Sequence, residues 1–125
     1  MGTDAARGDS LLGRKCLIQI IEPYDIAANI GDAPLNGRVV RFVATEHGGT
    51  MWIRMDRPIE DEGRIGHIVI LSPRHVGEHL VDLFAQDYIA AGAGLVPDAL
   101  LDRPIEEITE EDAHYFAIVT LRLAK

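Results

Sequence analysis

The five residues His75, Val76, Gly77, Glu78 and His79 form the sharpest chemical pattern in the chain. Histidines four positions apart lie on one face of an α-helix and can share a zinc ion, while the glutamate beside them acts as base toward a bound water. His75 and His79 are therefore the candidate metal ligands, with Glu78, Asp82 and His114 as residues that could complete the set. Three features weigh against hydrolysis at this pattern. A catalytic zinc needs a third protein ligand, yet only residues 80–125 follow His79. Gly77 weakens the helix that must carry the pair. Both histidines also stand in what would be the first turns of that helix, where polar boundary residues are ordinary.

The same junction suggests a second kind of chemistry. A strand running into a helix that opens with Ser72, Arg74 and His75 presents free backbone N–H groups and positive charge to an anion. A third constellation is not catalytic at all. Trp52, the single tryptophan, stands between Arg41 and Arg54 when the segments around them pair as a hairpin. Tryptophan and arginine concentrate binding energy at protein interfaces, and this face could clamp an acidic peptide or a second subunit. The plainer alternative buries Trp52 under another element, because Val39 and Val43 share its face and need cover. Cys16 opens an apolar strand and reads as a small buried hydrophobe rather than a nucleophile. His67 shares a face with Val69 and Leu71 and reads as a satisfied boundary histidine.

These side chains must be positioned by strands. Cys16 to Ile21 is apolar and β-branched apart from Gln19, and Pro23 closes it. Tyr24 to Leu35 reads as a loop, followed by a tight turn at Asn36 and Gly37. Arg38 to Thr45 and Thr50 to Arg57 then form a hairpin. With Thr45 opposite Thr50, one face carries Val40, Phe42, Ala44, Met51, Ile53 and Met55, and the other carries Val39, Arg41, Val43, Trp52, Arg54 and Asp56. Ile65 to Leu71 is the most continuously apolar strand. Ser72 and Pro73 have the form of a helix cap and first turn, and Val76, Leu80, Leu83, Phe84 and Tyr88 recur at helical spacing, with Gly92, Gly94 and Pro97 ending the helix. Thr109 to Asp112 reads as a short capped turn. Tyr115 to Leu123 alternates, with Ala117, Val119, Leu121 and Leu123 facing inward.

The predicted fold is α+β and β-rich: about five mainly antiparallel strands as a small SH3-like barrel or curled sheet, with one amphipathic helix between strands four and five. Residues 1–14 are expected to form a disordered N-terminal tail, and residues 15–125 a single globular domain. Asp56 to Glu60 recurs in type as Asp102 to Glu106, which reads as a shared way of ending an apolar run rather than as a duplication.

Composition narrows the partners. Of the 125 residues, 20 are acidic and 12 basic, a formal net charge of −8 with the basic residues dispersed. A nucleic-acid-binding surface needs a basic stripe, so that class is set aside. One cysteine allows no internal disulfide, which fits a reducing compartment. No apolar stretch approaches the roughly 20 residues that cross a bilayer as a helix, and the first fifteen residues show no signal-like run. A cytoplasmic location, no membrane and no nucleic-acid partner are expected, and no cofactor is implied. With no complete catalytic constellation, the leading expectation is a small, non-catalytic protein-interaction or self-association module using Arg41, Trp52 and Arg54. The alternative is a metal- or anion-binding domain, or a hydrolase, centred on residues 72–79.

Overall fold

Strand-forming segments follow one another along the chain, and each pairs antiparallel with its sequence neighbours. The computed structural model describes residues 10–23, 35–46, 48–61, 63–74, 77–80, 88–109 and 112–123. Its strands are β1 (Lys15–Pro23), β2 (Leu35–Val43), β3 (Thr50–Asp61), β4 (Arg64–Pro73), β5 (Tyr88–Val96) and β6 (His114–Leu123). β6 returns to pair with β1, so the sheet closes into an up-and-down barrel. Closure pairs what would otherwise be the two open edges of the sheet.

Period-two alternation sorts the side chains. Cys16 and Ile18, Met51, Ile53 and Met55, Val69 and Leu71, Ala91, Ala93 and Leu95, and Val119 and Leu121 share one interior cluster. Leu11 and Leu80 belong to the same cluster from outside the strands. Leu80 is held by its N–H donating to the carbonyl of Gly48 (2.8 Å). Ser10–Arg14, assigned to the tail from sequence, lies against β2. The Gly13 N–H donates to the Val39 carbonyl, and the Val39 N–H donates to the Arg14 carbonyl. Residues 1–9 lie outside the described part, as does the expected loop at 24–34.

The barrel bears out the β-rich reading, with corrections to its parts. Six strands replace the expected five. Asn36 and Gly37 do not form a turn; they pair within β2 against Leu17 and Cys16. In the hairpin, Val43 rather than Thr45 stands opposite Thr50, which preserves the expected faces from Phe42 to Arg41. A bulge between Val39 and Arg41 then reverses them. Val39 turns inward at 1% exposure and Val40 outward at 39%, because one extra residue moves every later side chain to the other face.

The expected helix between strands four and five is corrected at both of its ends. Ser72 and Pro73 are not a cap and first turn; they end β4, opposite Gly92 and Ala91. Tyr88–Val96, read as the end of a helix, is β5. Leu80 is the one residue of the described chain in α-helical conformation, and residues 81–87 are outside the described part. The Ala- and Gly-rich β5 has weak strand propensity, but a six-stranded barrel is narrow, and Ala91 and Ala93 fit an interior already filled by Met51, Ile53 and Leu71.

The connection from β5 to β6, residues 97–113, is a strap with two 3-10 turns, Asp98–Asp102 and Ile105–Glu107. It lies on the outside of the barrel. There Ile108 packs with Trp52, Ile68, Ile70 and Val96, with Leu100, Leu101 and Ala113 at the margin. The two sequence-similar stretches thus differ in structure: Asp56 to Glu60 lies in β3, while Asp102 to Glu106 runs from the end of one 3-10 turn of the strap into the next.

Candidate functional site

The outward faces of β3 and β4 carry large apolar side chains, Trp52, Ile68 and Ile70, and the strap provides their cover. Trp52 projects outward because it alternates with Met51 and Ile53, which fill the interior. It is nevertheless 1% exposed, as the alternative that buries it under another element expects, and the reading that left it open to solvent is corrected. Arg41, directly opposite in the β2–β3 pairing, sets its guanidinium 4.8 Å from the indole centroid, within cation–π range. Arg54 lies two residues along the same face, exposed, with Arg38 and Ile68 as its cross-strand neighbours. The structure therefore brings Arg41 and Trp52 together and leaves Arg54 apart.

Between the hairpin and the strap runs a groove of about 260 Å³, lined by Arg41, Val43, Thr45, Thr50, Trp52, Glu106, Ile108 and Thr109. The buried indole Nε1 of Trp52 has no hydrogen-bond partner among the described residues. A donor left in that condition costs roughly 1–3 kcal/mol. Thr50 is also buried, at 4% exposure. The Thr45 hydroxyl oxygen accepts the Gly49 N–H at 3.1 Å, which shapes the turn beside the groove.

Two local devices hold the strap. Asp98 accepts the His67 backbone N–H with one carboxylate oxygen (3.0 Å) and meets the His67 ring Nδ1 with the other (2.9 Å). The expected satisfied boundary histidine is thus a tether to the first turn of the strap. At the far end Asp112 accepts the Thr109 N–H at 2.9 Å, and the Asp112 N–H donates back to the Thr109 carbonyl, the capped turn read from sequence. Arg103 lies 3.8 Å from Asp112 on the exposed side, a pair of little energetic weight.

The metal and anion readings both rested on a helix opening at Ser72, and the described residues there are not helical. Gly77 has φ +90°, which a right-handed helix cannot contain, and His79 is exposed and non-helical. His75 lies outside the described residues, so the proposed i, i+4 pair is not described as a unit. Among the described residues no three His, Cys, Asp or Glu side chains cluster as a metal site. Ser72 belongs to β4 and Arg74 follows it as an exposed bend, so no helix start presents N–H groups to an anion there. Cys16 is buried in the barrel. Burial, assisted by the charge of Asp56, pushes its thiol up to about 12, which removes the thiolate a nucleophile requires.

Sequence reasoning found Arg41 and Trp52 but missed the opposite wall of the groove. The signal for Ile108 was present, an isolated apolar residue within an acidic stretch, yet its partner lay more than fifty positions away. No described helix is long and apolar enough to cross a membrane. Comparison with protein-family models, curated proteins and solved structures finds no match to the chain.

Proposed function

We propose that this protein is a small, non-catalytic interaction module that recognises a protein partner at the groove between its β2–β3 hairpin and its strap. The observation that carries this reading is the groove itself, where Arg41 stacks on Trp52 between the apolar walls of Val43 and Ile108. The surroundings have the make-up of a binding surface: an aromatic ring, a stacked arginine, apolar walls at Val43 and Ile108, and hydroxyls at the margin. Pairing with a second copy of the chain would use the same surface.

The test is selection of peptides from a random displayed library on the purified full chain. Trp52, as the single tryptophan, reports groove occupancy through its fluorescence. An enriched peptide family that changes this fluorescence, and that no longer binds a groove-filled Thr109→Phe variant, supports the reading. Absence of any enriched family, or binding undiminished in Thr109→Phe, overturns it.

A further inference from the structure

The pairing register brings together basic residues that lie far apart in the sequence. Lys15 of β1 stands opposite Arg38 of β2, and Arg38 stands opposite Arg54 of β3. All three are exposed on the outside of the barrel, because their neighbours Cys16, Val39, Ile53 and Met55 face inward. Arg122 of β6, also exposed, lies diagonal to Lys15 through its pairing with Leu17. With strands about 4.8 Å apart, the three facing residues form a row about 10 Å long. Like charges directly opposite one another destabilise a sheet. Among the described residues none of the four makes an ion pair, and Arg38 donates only to the Gly13 carbonyl (3.2 Å). Asp56, exposed on the same face of β3, pairs with none of them. Leu12, Leu17 and Val40 are exposed beside the row.

The acidic counterpart of this row is the strap. Residues 97–113 carry seven acids against one base, Arg103. Asp102, Glu106 and Glu107 are exposed and make no ion pair with the described residues. Leu100 and Leu101 add half-buried apolar surface beside them. Row and strap adjoin, since Ile68, opposite Arg54 on β4, lies in the layer beneath the strap. A basic half next to an acidic half is complementary to itself about a two-fold axis.

We propose that this face binds a second copy of the chain, the basic row of each protomer meeting the strap of the other. The exposed leucines and Val40 supply apolar area at both contacts. This rests on the self-association form of the interaction reading and extends its surface from the groove to the row beside it. A nucleic acid would bring only negative charge to a chain whose net charge is −8. A second copy also brings cations, its own row, to the first copy's strap.

The test is sedimentation velocity of the full chain across a rising concentration series. The wild type is expected to shift toward twice the monomer mass. Two charge-reversed variants leave the groove lining untouched: Lys15→Glu with Arg54→Glu in the row, and Asp102→Arg with Glu107→Arg in the strap. Each alone is expected to associate at least about tenfold more weakly, because like charges then meet. Mixed in equal amounts they should recover, since the reversed row of one suits the reversed strap of the other. A misfolded variant cannot give that recovery. A chain that stays monomeric at every concentration overturns the proposal. So does a dimer that neither reversal weakens, or a mixture no tighter than its parts. A fluorescent single-stranded oligonucleotide that binds a monomeric wild type, and not the row variant, assigns the row to a foreign polyanion and also overturns it. In each of these cases, selected peptides sensitive to Thr109→Phe leave the interaction reading standing. Failure of both tests overturns both.

Discussion

The barrel interior and the layer beneath the strap are both apolar clusters, yet they are built on opposite principles. The interior is lined by strand residues that alternate inward, from Cys16 and Ile18 to Val119 and Leu121. Its one ionisable group among the described residues, the Cys16 thiol, is held neutral by burial. The outer layer joins strand residues Trp52, Ile68, Ile70 and Val96 to a strap residue, Ile108. It contains an indole N–H without a partner among the described residues, an arginine over the ring and an open groove at its margin. A closed sheet satisfies its own backbone and fills its own interior, so little is left there for a ligand. The outer cover comes from a connection held by a few side chains, and that is where an indole N–H has no partner among the described residues.

The comparison breaks first on paired truncations. Leu71→Ala in the interior is expected to cost about 3–5 kcal/mol, since a rigid barrel wall cannot collapse on the void. Ile108→Ala removes a side chain of similar size but costs about 2 kcal/mol, because the strap can settle inward. Urea denaturation measures both values. Ile108→Ala should also shift Trp52 fluorescence to the red, while Leu71→Ala should not in the folded state. Equal costs would mean that the strap is as integral to the fold as the barrel wall.

A second contrast concerns ionisation inside the barrel. The Cys16 thiol is raised in the folded state to about 12 from an ordinary value of 9.0. Its contribution is therefore complete below pH 9 and is lost as pH rises through that range toward 12. At pH 10 the unfolded thiolate lowers stability by about 1.4 kcal/mol relative to pH 8. Denaturation of the wild type beside Cys16→Ala isolates this slope, which the variant should lack. A thiol that reacts readily with a disulfide reagent at pH 8 would show that the interior is not closed.

The smallest expected effect lies at the strap's tether. Asp98→Asn keeps the shape but removes the charge that faces His67 Nδ1, and both side chains are about one-third exposed. The loss is about 1 kcal/mol or less. Amide hydrogen exchange should show it as faster exchange confined to residues 98–109, with β1 to β6 unchanged. Acceleration throughout the barrel would make the tether part of the global fold and remove the distinction between the two layers.

By itself the sequence determined what depends on local alternation and bulk composition. β1 and β4 were legible as short continuous apolar, β-branched runs and β3 and β6 by alternation, and the inward set of β6 matches at Val119 and Leu121. The capped turn at Thr109 and Asp112 was legible because both its groups lie within four residues. Only the tertiary structure decided the rest. β5 looked unlike a strand because its inward positions hold small residues, a choice set by the width of a closed barrel and not by local propensity. Ser72 and Pro73 carry a helix-start signature that pairing with Gly92 and Ala91 overrides. The bulge at Val40 was invisible because no local residue marks it, and it alone moved Val39 into the core. Arg41 and Trp52 were named from sequence as a binding face, but their burial and their groove depend on Ile108, fifty-six positions beyond Trp52 (108 − 52). Local pattern reports which way a side chain points; what meets it there is set by chain closure.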